Sequence, residues 1–420
     1  MGASSSVRGR VLRVSCWPFL AVLTAALLCA PWSSVLGQGA RPSHRNSKAR
    51  QHKNSGMDGL NISKINNPDT RDPVGPHSEG EAVVRAAILL DRLRFSPGQI
   101  SGSYNDNLAK AIAAFQSASG LSGMGIVDAA TWAALNKDQA SGHIERAQQT
   151  PQFPGQQAAV QNPKPQDQGK KPPAPAPQNS ANAAPAIVSY VVTMEEVAEK
   201  FTKIRVATGR NAGEERMLRE ARLERLNFRS PLDLLAEKFH SSPRLLAQLN
   251  PRKRFDKPGV QLQVPNMGIS APPQAGSVVV DASTRSITVL DGNSKALAFY
   301  PATVGSEHDP LPVGNWKVAE VNWYPHFKYN PTLFWDSKNK HPRATLAPGP
   351  RNPVGVVWIG LSKEHYGIHG TPAPSEIGQT QSHGCIRLTN WDAADLAKMV
   401  HPGTPVVLQQ GSPAELKAQS

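Results

Sequence analysis

Between residues 368 and 388 the sequence reads IHGTPAPSEIGQTQSHGCIRL, which places two imidazoles, a thiol and a guanidinium close together: His369, His383, Cys385 and Arg387. Cysteine attacks as its thiolate, and a free thiol has a pKa of about 8.5. Work at neutral pH therefore needs a base or a positive neighbour. His383 lies two residues before Cys385, on the same side of an extended strand but badly angled for a straight hydrogen bond. His369 lies sixteen residues before Cys385, at the end of the strand-like YGIH. An adjacent strand end can carry its imidazole to the sulfur, so His369 is the favoured base. Gly384 lets a substrate or a backbone approach closely and tolerates unusual dihedrals. N–H groups around 384–385 can form an oxyanion hole. Arg387 shares the Cys385 face of a regular strand, where a guanidinium can grip a carboxylate with two parallel bonds. A zinc site of His369, His383 and Cys385 lacks an evident fourth ligand and matches no common zinc spacing.

Positioning these groups requires a framework, and the chain changes character several times before reaching them. Residues 1–37 are expected to be an export leader. Arg8, Arg10 and Arg13 precede the apolar FLAVLTAALLCA, which is short of the ~20 residues that span a bilayer. Val35 and Gly37 suit a cleavage site, with an uncleaved anchor as the alternative. Cys16 and Cys29 fall within that leader, so cleavage would leave Cys385 as the single thiol with no disulfide partner. The expected location is periplasmic or cell-wall associated. Lys and Arg number 46 against 32 Asp and Glu, a balance suited to a polyanionic neighbourhood. Nucleic acid is not the expected partner, because aromatics make up only 6% and no aromatic-interleaved basic motif is present.

Residues 38–79 are polar and basic and are read as a disordered tether. In residues 80–136, Val83, Ala86, Ala87, Leu90 and Leu93 recur at helical spacing, as do Leu108, Ala111, Ile112 and Phe115. Asp128 can cap a third helix carrying Trp132 and Leu135, so a small three-helix bundle is expected. Residues 137–186 form a Pro-, Gln- and Ala-rich linker. Residues 187–266 are a small α+β module in which Ser230-Pro231 and Ser242-Pro243 open short helices and GVQLQVPN is a closing strand. Residues 276–410 are mostly β: SVVVD, SITVL, ALAFYPATV, WKVAEV, GVVWIGL and TPVVLQ, with one helix, NWDAADLAKMV, opened by Thr389 or Asn390. Residues 411–420 are a tail.

Three resemblances follow from these residues. LDRLRFSPGQISGSYNDNLAKAIAAFQSASGL with GIVDAATWAAL resembles the peptidoglycan-binding-domain-1 family, which implies cell-wall binding. Residues 187–266 resemble a LysM glycan-binding module, with a charged insertion at 195–227 and without the usual Gly-Asp turn. The pattern HG followed by SHGCIRL resembles the L,D-transpeptidases with a YkuD catalytic domain, a mostly β sandwich. That resemblance implies Cys385 as nucleophile and His369 as proton donor and acceptor. Ser382, His383, Gly384 and Gly370 would shape the site, and Arg387 would help position the substrate. It also implies cysteine acyl transfer on peptidoglycan stem peptides: terminal D-alanine leaves, a thioester forms, and the amine of a second stem resolves it into a 3→3 crosslink. No metal or organic cofactor is implied, and carbapenem-type inhibitors would acylate the same thiol. An L,D-carboxypeptidase or crosslink hydrolase, and an inactive wall-binding scaffold, are the alternatives.

Overall fold

The computed structural model describes residues 59–141, 184–202, 212–268, 271–306, 308–333, 343–380 and 384–411. The expected leader, most of the linker, and Ser382 and His383 lie outside the described residues. None of the described helices is long and apolar enough to cross a membrane.

The helical module contains α1 (Ile62–Asn66), α2 (Glu81–Arg92), α3 (Asp106–Ala118) and α4 (Ala129–Ser141). Its helix starts follow local chemistry. Asn105 accepts from the Leu108 N–H at 3.0 Å, and Asp128 accepts from the Thr131 N–H at 2.8 Å, each satisfying an otherwise orphaned donor of the first turn. The periodic apolar face then buries Leu90, Leu108, Ile112, Phe115, Trp132 and Leu135. The tether expected over residues 38–79 is corrected in its second part. Residues 59–79 belong to this module, with Ile65 and Val74 fully buried in its core. The reason is long-range pairing: Val74 exchanges both backbone bonds with Val127 (3.0 and 2.8 Å), and Arg85 donates to the Ile65 carbonyl.

The second module pairs β1 (Ile187–Val191) antiparallel with β2 (Gln261–Pro265). Between them lie α5 (Met194–Ala198), α6 (Ala212–Glu220), α7 (Pro231–Lys238) and α8 (Pro243–Leu249). Ser230 and Ser242 cap α7 and α8 through the N–H groups of Asp233 and Leu245, with proline at each first helical position. Leu235, Leu246, Leu262 and Val264 make its own small core. Part of the charged insertion is helical, as α5 and α6.

These modules are not beads on a string. Ile187, Leu245 and Leu249 of the second module and Phe299 of the β domain are buried in one cluster with the helices of the first. Backbone bonds cross the seams: Ile100 N–H to the His240 carbonyl at 2.9 Å, Ser96 N–H to the Phe299 carbonyl at 2.9 Å, and Phe299 N–H to the Arg94 carbonyl at 2.8 Å. At a three-way junction, His240 Nδ1 lies 2.9 Å from Asp91 Oδ2 of the first module, and its ring stacks on Trp391 of the β domain at 5.0 Å.

The β domain contains β3 (Ser277–Asp281), β4 (Ser286–Leu290), β5 (Ala296–Pro301), β6 (Gly314–Trp323), β7 (Phe327–Tyr329), β8 (Ala344–Leu346), β9 (Val357–Leu361), β10 (Gly367–His369), β11 (Ile386–Arg387), α9 (Asn390–Met399) and β12 (Pro405–Gln409). Eight strands form a single sheet in the order β11-β10-β9-β6-β12-β3-β4-β5, and β7 pairs with β8. The expected mostly β domain is thus built on one curled sheet. Val278, Ile287 and Ala298 from one half share a core with Ile359, Ile368 and Ile386 from the other and with Leu396 and Met399 of α9. Alternation drives this: Val278 and Val280 are fully buried, with half-buried Val279 between them.

Candidate active site

Two short strands assemble the chemistry. β10 and β11 run parallel, with Ile368 opposite Ile386 and His369 opposite Arg387. Ile368 and Ile386 point into the core, 1% and 0% exposed. Because side chains alternate along a strand, the neighbouring positions 369, 385 and 387 turn to the opposite face together. The sixteen-residue separation between His369 and Cys385 thus shrinks to a diagonal step across a strand pair, with His369 opposite Arg387. β11 is held on its other side by Thr303, whose N–H and carbonyl both bond Arg387 at 2.9 Å.

His369 is 4% exposed. Its Nδ1 lies 2.7 Å from the Gly370 carbonyl, which only accepts, so Nδ1 carries the hydrogen and Nε2 presents its lone pair. Burial and the Arg387 charge lower its pKa to about 4, so the imidazole is neutral at pH 7. Trp358, directly opposite on β9, stacks on the imidazole with centroids 5.5 Å apart. Two glycines make room for that indole. A Cβ on Gly367 would sit 2.5 Å from Trp358 Cζ2, and one on Gly360 would sit 3.2 Å from its Nε1.

The thiol of Cys385 is half-buried. At rest it donates weakly to the His365 carbonyl at 3.9 Å. Burial pushes its pKa up, opposed by the Gly367 N–H and by the Arg387 charge. Thiol and imidazole are therefore both neutral at rest, and proton transfer must accompany attack rather than precede it. Arg387 makes no ion pair among the described residues, so its charge is available to a ligand. Gly384 has φ +91°, a left-handed conformation that favours glycine, and a Cβ there would approach Tyr366 Cε1 to 3.2 Å.

Behind the site, Asn390 opens α9. Its Oδ1 accepts from the Val356 N–H at 3.2 Å, and its Nδ2 donates to the Pro350 carbonyl at 3.0 Å and to Glu237 Oε1 of the second module at 2.8 Å. A Cβ on Gly370 would meet Asn390 Oδ1 at 2.1 Å. Gly370 thus lets this amide pack closely on the residue whose carbonyl orients His369.

Of the residues expected at the site, His369, Gly370, Gly384, Cys385 and Arg387 lie together along these two strands. Sequence reasoning missed Trp358, Tyr366 and Asn390. For Trp358 a signal was present, since a large aromatic flanked by Gly360 in GVVWIGL implies a ring lying over a bare backbone. Among the described residues no three His, Cys, Asp or Glu side chains gather where they could hold a metal.

Two segments of the chain are similar to known families. Residues 275–408 match the family described as the L,D-transpeptidase catalytic domain, and residues 79–135 match a peptidoglycan binding domain family. A Bacillus subtilis protein bearing the name L,D-transpeptidase YkuD is 29% identical over 183 residues, which is 43% of this chain and 93% of that protein. Its namesake in Bacillus licheniformis is 54% identical over 59 residues, 14% of this chain, and the chain covers only 36% of that relative. A crystal structure of L,D-transpeptidase 3 from Mycobacterium tuberculosis, in complex with a faropenem-derived adduct, is 19% identical. It covers 37% of this chain and 75% of its own, with a TM-score of 0.27.

Proposed function

From a chain that carries an L,D-transpeptidase catalytic domain over residues 275–408 and a peptidoglycan-binding domain over residues 79–135, we propose an exported cell-wall enzyme that joins peptidoglycan stem peptides through a Cys385 thioester. The observation that supports this reading is the parallel pairing of β10 with β11, which sets His369 opposite Arg387, two residues from Cys385. Sγ of Cys385 attacks the carbonyl carbon of the third stem residue while Nε2 of His369 takes the thiol proton. The tetrahedral intermediate collapses, the C–N bond to D-alanine breaks, and His369 returns the proton to the departing amine. A neutral amine of a second stem then attacks the thioester. Its proton passes to Nε2, the C–S bond breaks with its electron pair on sulfur, and His369 reprotonates the thiolate. Splitting one amide exchange into two steps lowers each barrier.

Each resting feature suits this sequence. The Nδ1 bond to the Gly370 carbonyl fixes the tautomer that leaves Nε2 as acceptor, and that same carbonyl favours the imidazolium once it forms. In this reading Arg387 holds a substrate carboxylate beside the thiol. Carbapenem-type β-lactams present an equivalent electrophilic carbonyl and are proposed to acylate Cys385. Export is supported by the charged and apolar leader pattern, and the basic balance suits an anionic wall.

The test is intact-protein mass and product analysis after incubation with tetrapeptide muropeptides, for the wild type and Cys385→Ala. Expected are an adduct equal to the donor less D-alanine and a 3→3 dimer for the wild type, and neither for the variant. An adduct of equal occupancy on Cys385→Ala would overturn the assignment.

A further inference from the structure

Ser306 and Asp309 share a turn on the lip of the site, and Asp309 carries a carboxylate oxygen left unpaired among the described residues. Thr303 and Arg387 face one another in an antiparallel bridge. Stepping two residues away from that pair in opposite directions brings Gly305 beside Cys385. Both ends of the loop are anchored, since Val304 and Leu311 are buried in the β-domain core. Within it, Asp309 N–H donates to Ser306 Oγ at 3.0 Å and the Asp309 carbonyl accepts from the Ser306 N–H at 2.9 Å. The turn is tight: a Cβ on Gly305, whose φ is +41°, would meet Leu311 N at 2.8 Å. The Asp309 backbone is thus fixed, yet its Oδ2 is withdrawn from solvent and has no hydrogen-bond partner among the described residues.

A buried acceptor without a partner costs about 1–3 kcal/mol, and more when charged. Its cost is recovered when a ligand supplies the donor. The surroundings show where that ligand would sit. Burial raises the pKa of both the Cys385 thiol and the Tyr366 phenol, the nearby Asp309 charge adds to each, and the Tyr366 ring lies against Gly384. A carboxylate on one loop and the guanidinium of Arg387, which makes no ion pair among the described residues, therefore act on the same sulfur. What answers an unsatisfied carboxylate is a donor bearing positive charge, and in a substrate built from amino acids that donor is a primary ammonium.

We propose that Asp309 is an ammonium-binding residue that seats a primary amino group of the substrate beside Cys385. This rests on the reading of Cys385 as the acyl-carrying nucleophile. Two sources share the chemistry: the side-chain ammonium of the donor's third residue, and the ammonium of the acceptor, which gives one proton to solvent before the neutral amine attacks the thioester.

Asp309→Asn and Asp309→Glu in the full chain distinguish them. In the donor arm, Cys385 acylation is followed by intact mass with a tetrapeptide whose third-residue amine is free or acetylated. In the acceptor arm, the preformed thioester is partitioned between an added primary amine and water. In the wild type, one arm should favour the free amine by about ten- to a hundred-fold, the worth of one hydrogen bond to a charged group. Asp309→Asn should abolish that preference and Asp309→Glu restore part of it. Loss in the donor arm assigns the donor's amine, and loss in the acceptor arm assigns the acceptor's. Asparagine matching the wild type in both arms overturns the proposal, as does an equal fall for free and acetylated amines, which marks a purely structural role. A wild type that forms no Cys385 adduct refutes the nucleophile itself, a failure distinct from the others.

Discussion

Glu237 offers a quantitative test of how the modules are joined. It lies on α7, is 8% exposed, and accepts from Asn390 Nδ2 at 2.8 Å. Burial is the largest influence on it and raises its pKa from 4.5 to about 8, against the opposing Asn390 bond. Below about pH 4.5 the carboxyl is protonated in both folded and unfolded chains, and stability is indifferent to it. Between 4.5 and 8 the unfolded chain gives up a proton that the folded chain retains, so stability falls as pH rises, by 1.36 kcal/mol per unit. Above about 8 the loss is complete. Glu237→Gln keeps an acceptor for Asn390 and removes the titration. The variant should therefore gain on the wild type by roughly 3 kcal/mol between about pH 5 and about pH 8. Asp392, also raised to about 8 by burial, titrates in both proteins and largely cancels in the difference. The assay is urea denaturation followed by tryptophan fluorescence at those two pH values. A variant-minus-wild-type difference that stays constant to within about 0.5 kcal/mol would refute the burial argument.

Two further outcomes concern the site. Acylation of Cys385 by a carbapenem should be level above about pH 5 and fall below it with an apparent pKa of about 4, as His369 gains its proton. Arg387→Met should move that acid limb upward, because the guanidinium helps hold the imidazole neutral; a wild-type limb near 6.5, the ordinary imidazole value, would contradict this account. In Gly367→Ala the new methyl would lie 2.5 Å from the Trp358 ring. Displacing that ring should cost about 1–3 kcal/mol of stability and slow acylation at least about ten-fold through loss of the His369 stack. Wild-type acylation rates would show that the indole has no part in placing the base.

Local chemistry was legible in the sequence. The caps at Asp128, Ser230 and Ser242 and the alternation in β3, β4 and β12 are set by neighbours a few residues apart. What depends on distant neighbours was not. Residues 59–79 contain too few apolar positions to show a period, yet Ile65 and Val74 are buried because other segments close over them. The linker made the modules look independent, whereas Leu245 and Leu249 of α8 serve a core that begins more than a hundred residues earlier. At the site, the types and spacing of His369, Cys385 and Arg387 suggested a nucleophile, its base and an anion grip. β11 is only two residues long and showed no pattern of its own, so its parallel pairing with β10 could not be read in advance. Asp309 and Glu237 stand out only once burial and partners are known.

The bonds that Phe299 makes with Ser96 and Arg94 carry a consequence for solubility. β5 is the outermost strand at one end of the eight-stranded sheet. Such a margin ordinarily presents a row of free N–H and carbonyl groups, an invitation to pair with another copy of the chain. Here the helical module occupies the middle of that margin, taking both backbone groups of Phe299 and burying its ring. It acts as a guard against self-association, a service it performs whether or not it ever touches a glycan.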